Sequence, residues 1–361
     1  MKPRRLFIAA ALLCAALALA AFGRMREEVP GLSGHGRTLL RIWITGSPGG
    51  GQAWLTEQLR AFSRQHPGVM TRVRIVAPQE LTARDTVLPD VVLFMPGDVT
   101  DPSALFTPLG GEWPLREPLI AAGRMDGVQY AIPLCWGGWT LAIDSALDPV
   151  PAATPAPTTL LGRPAATSAP TESPGYPLQA ASAADVPLLS PGGAALLALS
   201  NLLPADSRPP LPEDFAHLSP AEVYAAFRER RCATAMLTTG QIAAFSALTS
   251  AGKGFPFRVL VPDQVATDQL MMAAVTADAP PQAGALLRFL VGDPAQQALT
   301  SQALHTVRDD LTLYAAGVPG EVEQAAQRQL RAANAFLPRE EAHALAWQAF
   351  TGAIPPQQAL P

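Results

Sequence analysis

The chain has 361 residues, 48% of them hydrophobic and 16% charged, with a formal net charge of −4. That is enough apolar material for two ordinary globular domains, and it excludes a chain disordered throughout. A mildly acidic balance without a basic stripe excludes nucleic acid as a main partner.

The N-terminus carries a targeting signal. Lys2, Arg4 and Arg5 form a positive region, Leu6 to Phe22 is unbroken apolar sequence, and Ala18-Leu19-Ala20 supplies a small-x-small cleavage pattern. A signal peptide over residues 1–20 is the first reading. An uncleaved anchor to about residue 22 is the second, because the run reaches the lower edge of what spans a bilayer. Both put the body of the protein outside the cytoplasm. Cys14 follows Leu13, where a lipoprotein signal needs a small side chain, so lipidation is not expected. Cys135 and Cys232 remain. In an exported chain they form either a disulfide or two buried thiols, and their spacing fits no zinc motif.

Leu39–Ile44 reads as a short buried strand, followed by the glycine-rich turn Gly46–Gly51. An amphipathic helix is predicted from about Gln52 to Gln65, with Trp54, Leu55, Leu59 and Phe62 on one face and His66-Pro67-Gly68 as its stop. Val69–Val76 is a second strand, and Val87–Met95 contains a third. This order predicts the opening of an α/β sheet, which binds ligands beyond the carboxyl ends of its strands.

Val128–Ile143 reads as extended and apolar, with Gly137-Gly138 in its middle. Residues 149–191 are rich in Pro, Ala, Thr and Ser and read as linker, with one strand near Tyr176–Ala181. A helix is predicted over Gly193–Leu203. Another starts at Ser219-Pro220-Ala221-Glu222, a capping-box pattern with Pro in the first turn, and runs to about Arg230. Cys232–Leu237 is a strand, Thr238-Thr239-Gly240 a turn, and Ile242–Thr249 a helix. Arg258–Val261 and Met271–Val275 are strands. Helices are predicted over Ala283–Leu290, Pro294–Gln302, Glu321–Phe336 and Glu340–Phe350.

Five segments together resemble one family. They are Leu39–Ser47 (LLRIWITGS) with the helix end Leu59–Val69 (LRAFSRQHPGV), Leu88–Phe94 (LPDVVLF), Asp126–Asp144 (DGVQYAIPLCWGGWTLAID), Val223–Gly240 (VYAAFRERRCATAMLTTG) and Ala285–Arg308 (ALLRFLVGDPAQQALTSQALHTVR). In this order, behind an export signal, they resemble the extracellular solute-binding proteins of ABC importers, family 1, the maltodextrin-binding type. The resemblance implies a two-lobed, periplasmic-binding-protein-like α/β fold of type II with discontinuous lobes joined by a hinge. Lobe one would take residues 37–112 and 262–307. Lobe two would take 113–261 with the Pro-rich insert, and 308–361 would supply C-terminal helices packed mainly on lobe two. It implies a monomer that binds a sugar or another small polar solute between its lobes and delivers it to an ABC permease. No cofactor and no metal are implied. The Pro/Ala-rich stretch sits where relatives carry helices, a departure that touches one wall of the cleft.

Candidate ligand-binding residues follow from turns at strand ends. Lobe one offers Thr45 and Ser47 as hydroxyl donors and the Phe94–Gly97 turn, hence Phe94, Met95 and Gly97. The glycine-rich turn exposes backbone N–H groups at a helix start, which favours an oxygen-rich or anionic ligand group. Trp136 and Trp139 offer faces for stacking on a sugar. At spacing three they cannot share one face of a regular strand, so one faces the cleft and one packs inside. Trp136 is assigned to the cleft, with burial of both as the alternative. Lobe two offers Thr239, Gly240 and Gln241. Trp43 and Phe94 match aromatic positions of the family, Ile242 stands where relatives have an aromatic residue, and Trp347 matches an aromatic of the C-terminal helices. Asp98, Asp263 and Asp268 read as solvated loop carboxylates, with pairing to a cationic ligand as the alternative.

Enzyme signatures are missing. His35, His66, His217, His305 and His343 are scattered and form no metal-binding pair, and there is no G-x-S-x-G elbow. His305 lies near a predicted helix C-terminus, which favours a partly charged imidazole. Glu340 and Glu341 suit the start of a helix and do not read as a catalytic pair. The alternative to a transport receptor is a membrane-anchored interaction or regulatory protein that keeps the fold but has lost the ligand.

Overall fold

A computed structural model describes residues 38–83, 87–147, 188–203 and 218–359. The N-terminal apolar segment, most of the Pro-rich insert and the strand expected near Tyr176–Ala181 lie outside the described residues. In chain order the elements are β1 (Thr38–Ile44), α1 (Gly51–Gln65), β2 (Val69–Ile75), β3 (Val91–Phe94) and α2 (Glu117–Ala121). Next come β4 (Arg124–Met125), β5 (Val128–Gln129), β6 (Ala131–Trp136), β7 (Trp139–Asp144), β8 (Leu188–Leu189) and α3 (Ala194–Leu202). Then follow α4 (Pro220–Arg228), β9 (Thr234–Thr238), α5 (Thr239–Ser250), β10 (Phe257–Leu260), β11 (Val265–Thr267) and β12 (Leu270–Val275). The chain ends with α6 (Pro281–Leu290), α7 (Asp293–Gln297), α8 (Gly317–Arg328), β13 (Leu330–Ala332) and α9 (Arg339–Phe350).

Two sheets organise the molecule. The first has strand order β2-β1-β3-β12-β6; β1 runs parallel to β2 and β3, and β12 runs antiparallel to β3 and β6. One face of β1, through Leu40, Ile42 and Ile44, is buried in the same core as Trp54, Leu55, Leu59 and Phe62 of α1. The Trp54 indole donates to the Ala295 carbonyl at 2.8 Å, which ties α1 to α7. The second sheet has order β10-β7-β9-β8. Trp139, Leu141, Ile143 and Met236 pack with α3 and with Ala346, Ala349 and Phe350 of α9. On the other face Ala142, Ala235 and Leu237 share a core with Phe227 of α4 and Phe245 of α5. Because both faces are covered, every residue of β7 is buried, including Thr140, which donates to the Leu237 carbonyl at 3.2 Å, and Asp144, which pairs with Arg230 at 2.8 Å.

The run Val128–Ile143 is not one strand. It breaks at Gly137-Gly138, with β6 in the first sheet and β7 in the second. The chain therefore changes sheets there, not at the 112/113 boundary expected from the resemblance. Only glycine fits at 138, since an added Cβ would lie 2.6 Å from Cγ1 of Val322 on α8. The return crossing runs from β10 through β11 to β12. Two further expectations are corrected. Helix α8 ends at Arg328, and residues 330–332 form a strand parallel to β11, where one helix to Phe336 was predicted. Thr238 is the N-cap of α5 and Thr239 its first residue, where a turn was predicted; Thr238 and Gln241 close a capping box.

Candidate functional site

A gap of about 1350 Å³ opens between the two sheets. One wall comes from the first sheet's side: Ser47, Gly49 and Gly50 before α1, Met95 and Pro96 after β3, and Thr300–Ala303. The facing wall comes from Tyr224 on α4 and from Thr238, Gly240 and Gln241 at the start of α5. Trp139, Asp268 and Gln269 lie at the chain crossings, which makes them the floor, and Asn334, Arg339 and His343 border the gap from the C-terminal segment. The helix starts sit here because each follows a strand whose carboxyl end points at the gap, as in open α/β sheets generally.

Of the residues offered from the sequence as ligand contacts, Ser47, Met95, Trp139, Gly240 and Gln241 line this gap, and Asp268, offered as a carboxylate, does too. The others do not. Thr45 turns its hydroxyl to Asp98 Oδ2 at 2.8 Å. Phe94 is fully buried, stacked between Phe106 and Phe336 at 5.6 and 6.0 Å. Gly97 adopts φ +82° and donates from its backbone to Ala335 at 2.9 Å, packed against Arg339. Thr239 is buried, and its hydroxyl donates to the Ala303 carbonyl at 3.3 Å, bridging the two halves beside the crossing. Trp347 packs on the second core near Phe350.

The two tryptophans exchange the expected roles. Trp136 is 0% exposed, donates from Nε1 to the Thr306 carbonyl at 2.8 Å and stacks on His305 with ring centroids 4.4 Å apart. Trp139 lines the gap with 2% exposure, and its Nε1 donates to Asp268 Oδ1 at 2.9 Å. The crossing at Gly137-Gly138 resets the strand alternation, so spacing alone does not decide which indole turns outward.

The carboxylates also differ from expectation. Asp263 is solvated, but Asp98 and Asp268 are engaged. Asp98 accepts from Thr45, from the Met95 backbone and from the Arg339 guanidinium. Asp268 accepts from Trp139, from Gln269 Nε2 at 3.1 Å and from the Ala194 backbone at 3.2 Å. His305 lies beneath the floor with Nδ1 3.5 Å from Glu323 Oε1, and burial lowers its pKa below the ordinary 6.5, opposite to the helix-end expectation. Cys135 and Cys232 are free buried thiols, so of the two open readings the structure has thiols; burial pushes each up to about 12.

Sequence reasoning missed Tyr224, Gln269, Gln302, Asn334 and His343, which line the gap from elements distant in the chain. Only Tyr224 had a local signal, since it lies within the first turns of a helix marked by its capping box. Among the described residues no group of three His, Cys, Asp or Glu side chains could hold a metal ion, and no helix is long and apolar enough to cross a membrane.

Solved structures with this architecture are known. The GacH receptor of Streptomyces glaucescens, determined unliganded and with acarbose, aligns over 89% of this chain and 95% of its own, with TM-score 0.57 and 14% identity. The fold is that of two-lobed solute-binding proteins. This solute-binding fold recurs in maltose-bound MalE3 of T. maritima, at TM-score 0.55 and 13% identity over 90% of this chain and 97% of the other. It recurs also in the maltose-maltodextrin binding protein of Alicyclobacillus acidocaldarius, at TM-score 0.54 and 12% identity over 90% and 98%. No family model matches the sequence, and no curated protein matches it. The structures named are binding proteins, and at these identities they share the fold with this chain.

Proposed function

We propose that this chain is the extracytoplasmic substrate-binding component of an ABC importer of the family 1 type, and that it captures a small polar solute, a carbohydrate, in the inter-lobe gap. The observation that carries the reading is the gap itself, about 1350 Å³ in volume and walled from both sheets. A solute touching both walls favours a closed arrangement over an open one, which is how a hinged receptor signals that it is loaded. The lining supports an oxygen-rich guest. It offers the hydroxyls of Ser47, Thr238 and Tyr224, the amides of Gln302 and Asn334, and the indole of Trp139. The protein is read as a monomer that hands its solute to a membrane permease.

The test is a thermal-shift screen of maltose, maltotriose, mannotriose, acarbose, amino acids and polyols. A ligand at a hundred times its Kd stabilises the folded chain by about 2.7 kcal/mol, a measurable rise in Tm. A rise with sugars alone supports the reading; a rise with amino acids alone moves the solute class.

The second reading, an interaction protein with a degenerate solute-binding fold, is favoured by one observation: the floor offers little aromatic surface, since Trp136 is fully buried and Trp139 is 2% exposed. It predicts no shift with any member of the panel.

A further inference from the structure

Gln269 follows the short strand β11 at the return crossing, beside the floor indole of Trp139. It is 7% exposed, and the gap is the cavity it lines. Its amide orientation has a physical cause. Nε2 donates to Asp268 Oδ1 at 3.1 Å, and an ionised carboxylate can only accept, so the NH₂ end faces Asp268. Oε1 then points the other way, and it has no hydrogen-bond partner among the described residues. It is also not among the buried polar atoms closed off from solvent.

Asp268 itself is held in place. Oδ1 accepts from Trp139 Nε1 at 2.9 Å as well as from Gln269, and Oδ2 accepts from the backbone of Ala194 at the start of α3. This approach needs the glycine before Ala194. Gly193 sits at φ +65°, and an added Cβ there would lie 2.7 Å from Asp268 Oδ2. Three N–H donors, one of them at a helix start, occupy the carboxylate, and beside it Gln269 presents a neutral acceptor to the gap.

We infer that Gln269 Oε1 is a specificity-determining acceptor for a hydroxyl of the bound solute, and that Asp268 is the positioning residue that fixes its orientation. This rests on the gap being the solute site. A nearly buried acceptor left without its donor carries a desolvation cost, so the site discriminates against solutes that cannot supply a hydroxyl or N–H at that point. It gives no purchase to an ionised carboxylate at the floor, because that group has no hydrogen to donate there.

The test is isothermal titration of the full chain and its variants with maltose, maltotriose and mannotriose. Gln269→Leu keeps the volume and removes the acceptor, so it should bind the preferred sugar at least tenfold more weakly. Gln269→Glu places a second carboxylate against Asp268 and should lose at least as much; it also serves if the Leu variant folds poorly, with circular dichroism reporting folding of each. Asp268→Ala removes the acceptor that holds the Gln269 NH₂ and frees that amide to turn, so it should weaken binding too. In the double variant Asp268→Ala/Gln269→Leu the affinity should stay within threefold of Gln269→Leu alone, because the first change acts through the second. If the wild type binds a sugar and folded Gln269 variants bind it equally well, the role of Gln269 is overturned while the carbohydrate reading stands. Additive losses in the double variant overturn the positioning role of Asp268. If the wild type binds no sugar in the panel, the carbohydrate reading falls and takes this inference with it.

Discussion

Trp136→Ala separates core from cleft. The side chain is fully buried, its indole N–H holds the Thr306 carbonyl at 2.8 Å, and its ring lies against His305. Truncation removes the ring from a packed interior and leaves a cavity, a change that costs about 3–5 kcal/mol for Trp or Phe. The Thr306 carbonyl also loses its donor, which adds to that loss. At about 2 °C per kcal/mol for a large chain, Tm should fall by roughly 6–10 °C. Trp136 does not line the gap, so affinity for any sugar found to bind should change less than threefold. The assays are circular-dichroism melting and titration calorimetry on the same samples. A Tm within 2 °C of wild type together with a tenfold loss of affinity would refute the reasoning and return Trp136 to the ligand. Trp139→Ala should lower both quantities, because that ring belongs to the second core and also lines the gap.

Three other outcomes follow from burial and close approach. Burial lowers the His305 pKa, so the unfolded chain takes up a proton first; stability is complete above about pH 6.5 and is lost as pH falls below it. Urea midpoints measured between pH 7.5 and 5 should drop more for wild type than for His305→Phe, and equal drops refute the assignment. Cys135 and Cys232 should resist a thiol reagent at pH 8 in the native state and react in urea, as peptide mapping would read; their raised values also cost stability as pH climbs from about 9 toward 12. At Gly240 an added Cβ would lie 3.7 Å from the carbonyl oxygens of Gly49 and Gln302 on the opposite wall. Ala should therefore fit, whereas Trp should hold the walls apart, enlarge the radius of gyration in X-ray scattering and weaken sugar binding at least tenfold.

Much of the fold is legible because local signals agree with it. The apolar face Trp54, Leu55, Leu59 and Phe62 marks α1, and Ser219 to Glu222 marks the start of α4. What escapes is decided by distant partners. Residues 330–332 continue a helical pattern, yet they extend because Val265–Thr267 offers a parallel edge some 65 positions earlier. Residues 128–143 read correctly as extended, but the division at Gly137-Gly138 depends on Val322 of α8 filling the space a side chain would need. The candidate site divides the same way. Turns after strands located Ser47, Met95, Gly240 and Gln241, whereas Gln269 matters through a carboxylate neighbour whose own partners are Trp139 and Ala194.

The floor of the gap and the crossing between the sheets are the same few residues. Thr267 Oγ1 donates to the Gly137 carbonyl at 2.6 Å and accepts from the Gln269 backbone at 3.0 Å, while Gly137 donates to the Gln269 carbonyl at 2.8 Å. The two crossings are thus stitched together at the point about which any opening must turn. A solute contact at the floor changes little as the walls move, so it contributes similar free energy in open and closed states. A contact to Ser47 or Gln302 on one wall, or to Tyr224 or Gln241 on the other, forms fully only on closure. Only such differential contacts shift the equilibrium. Gln269→Leu should therefore weaken sugar binding while the saturated protein still contracts as much as wild type in X-ray scattering. Tyr224→Ala should reduce the contraction at saturation as well as the affinity. If the floor variant abolishes contraction and the wall variant leaves it whole, closure is driven from the hinge and the division argued here is wrong.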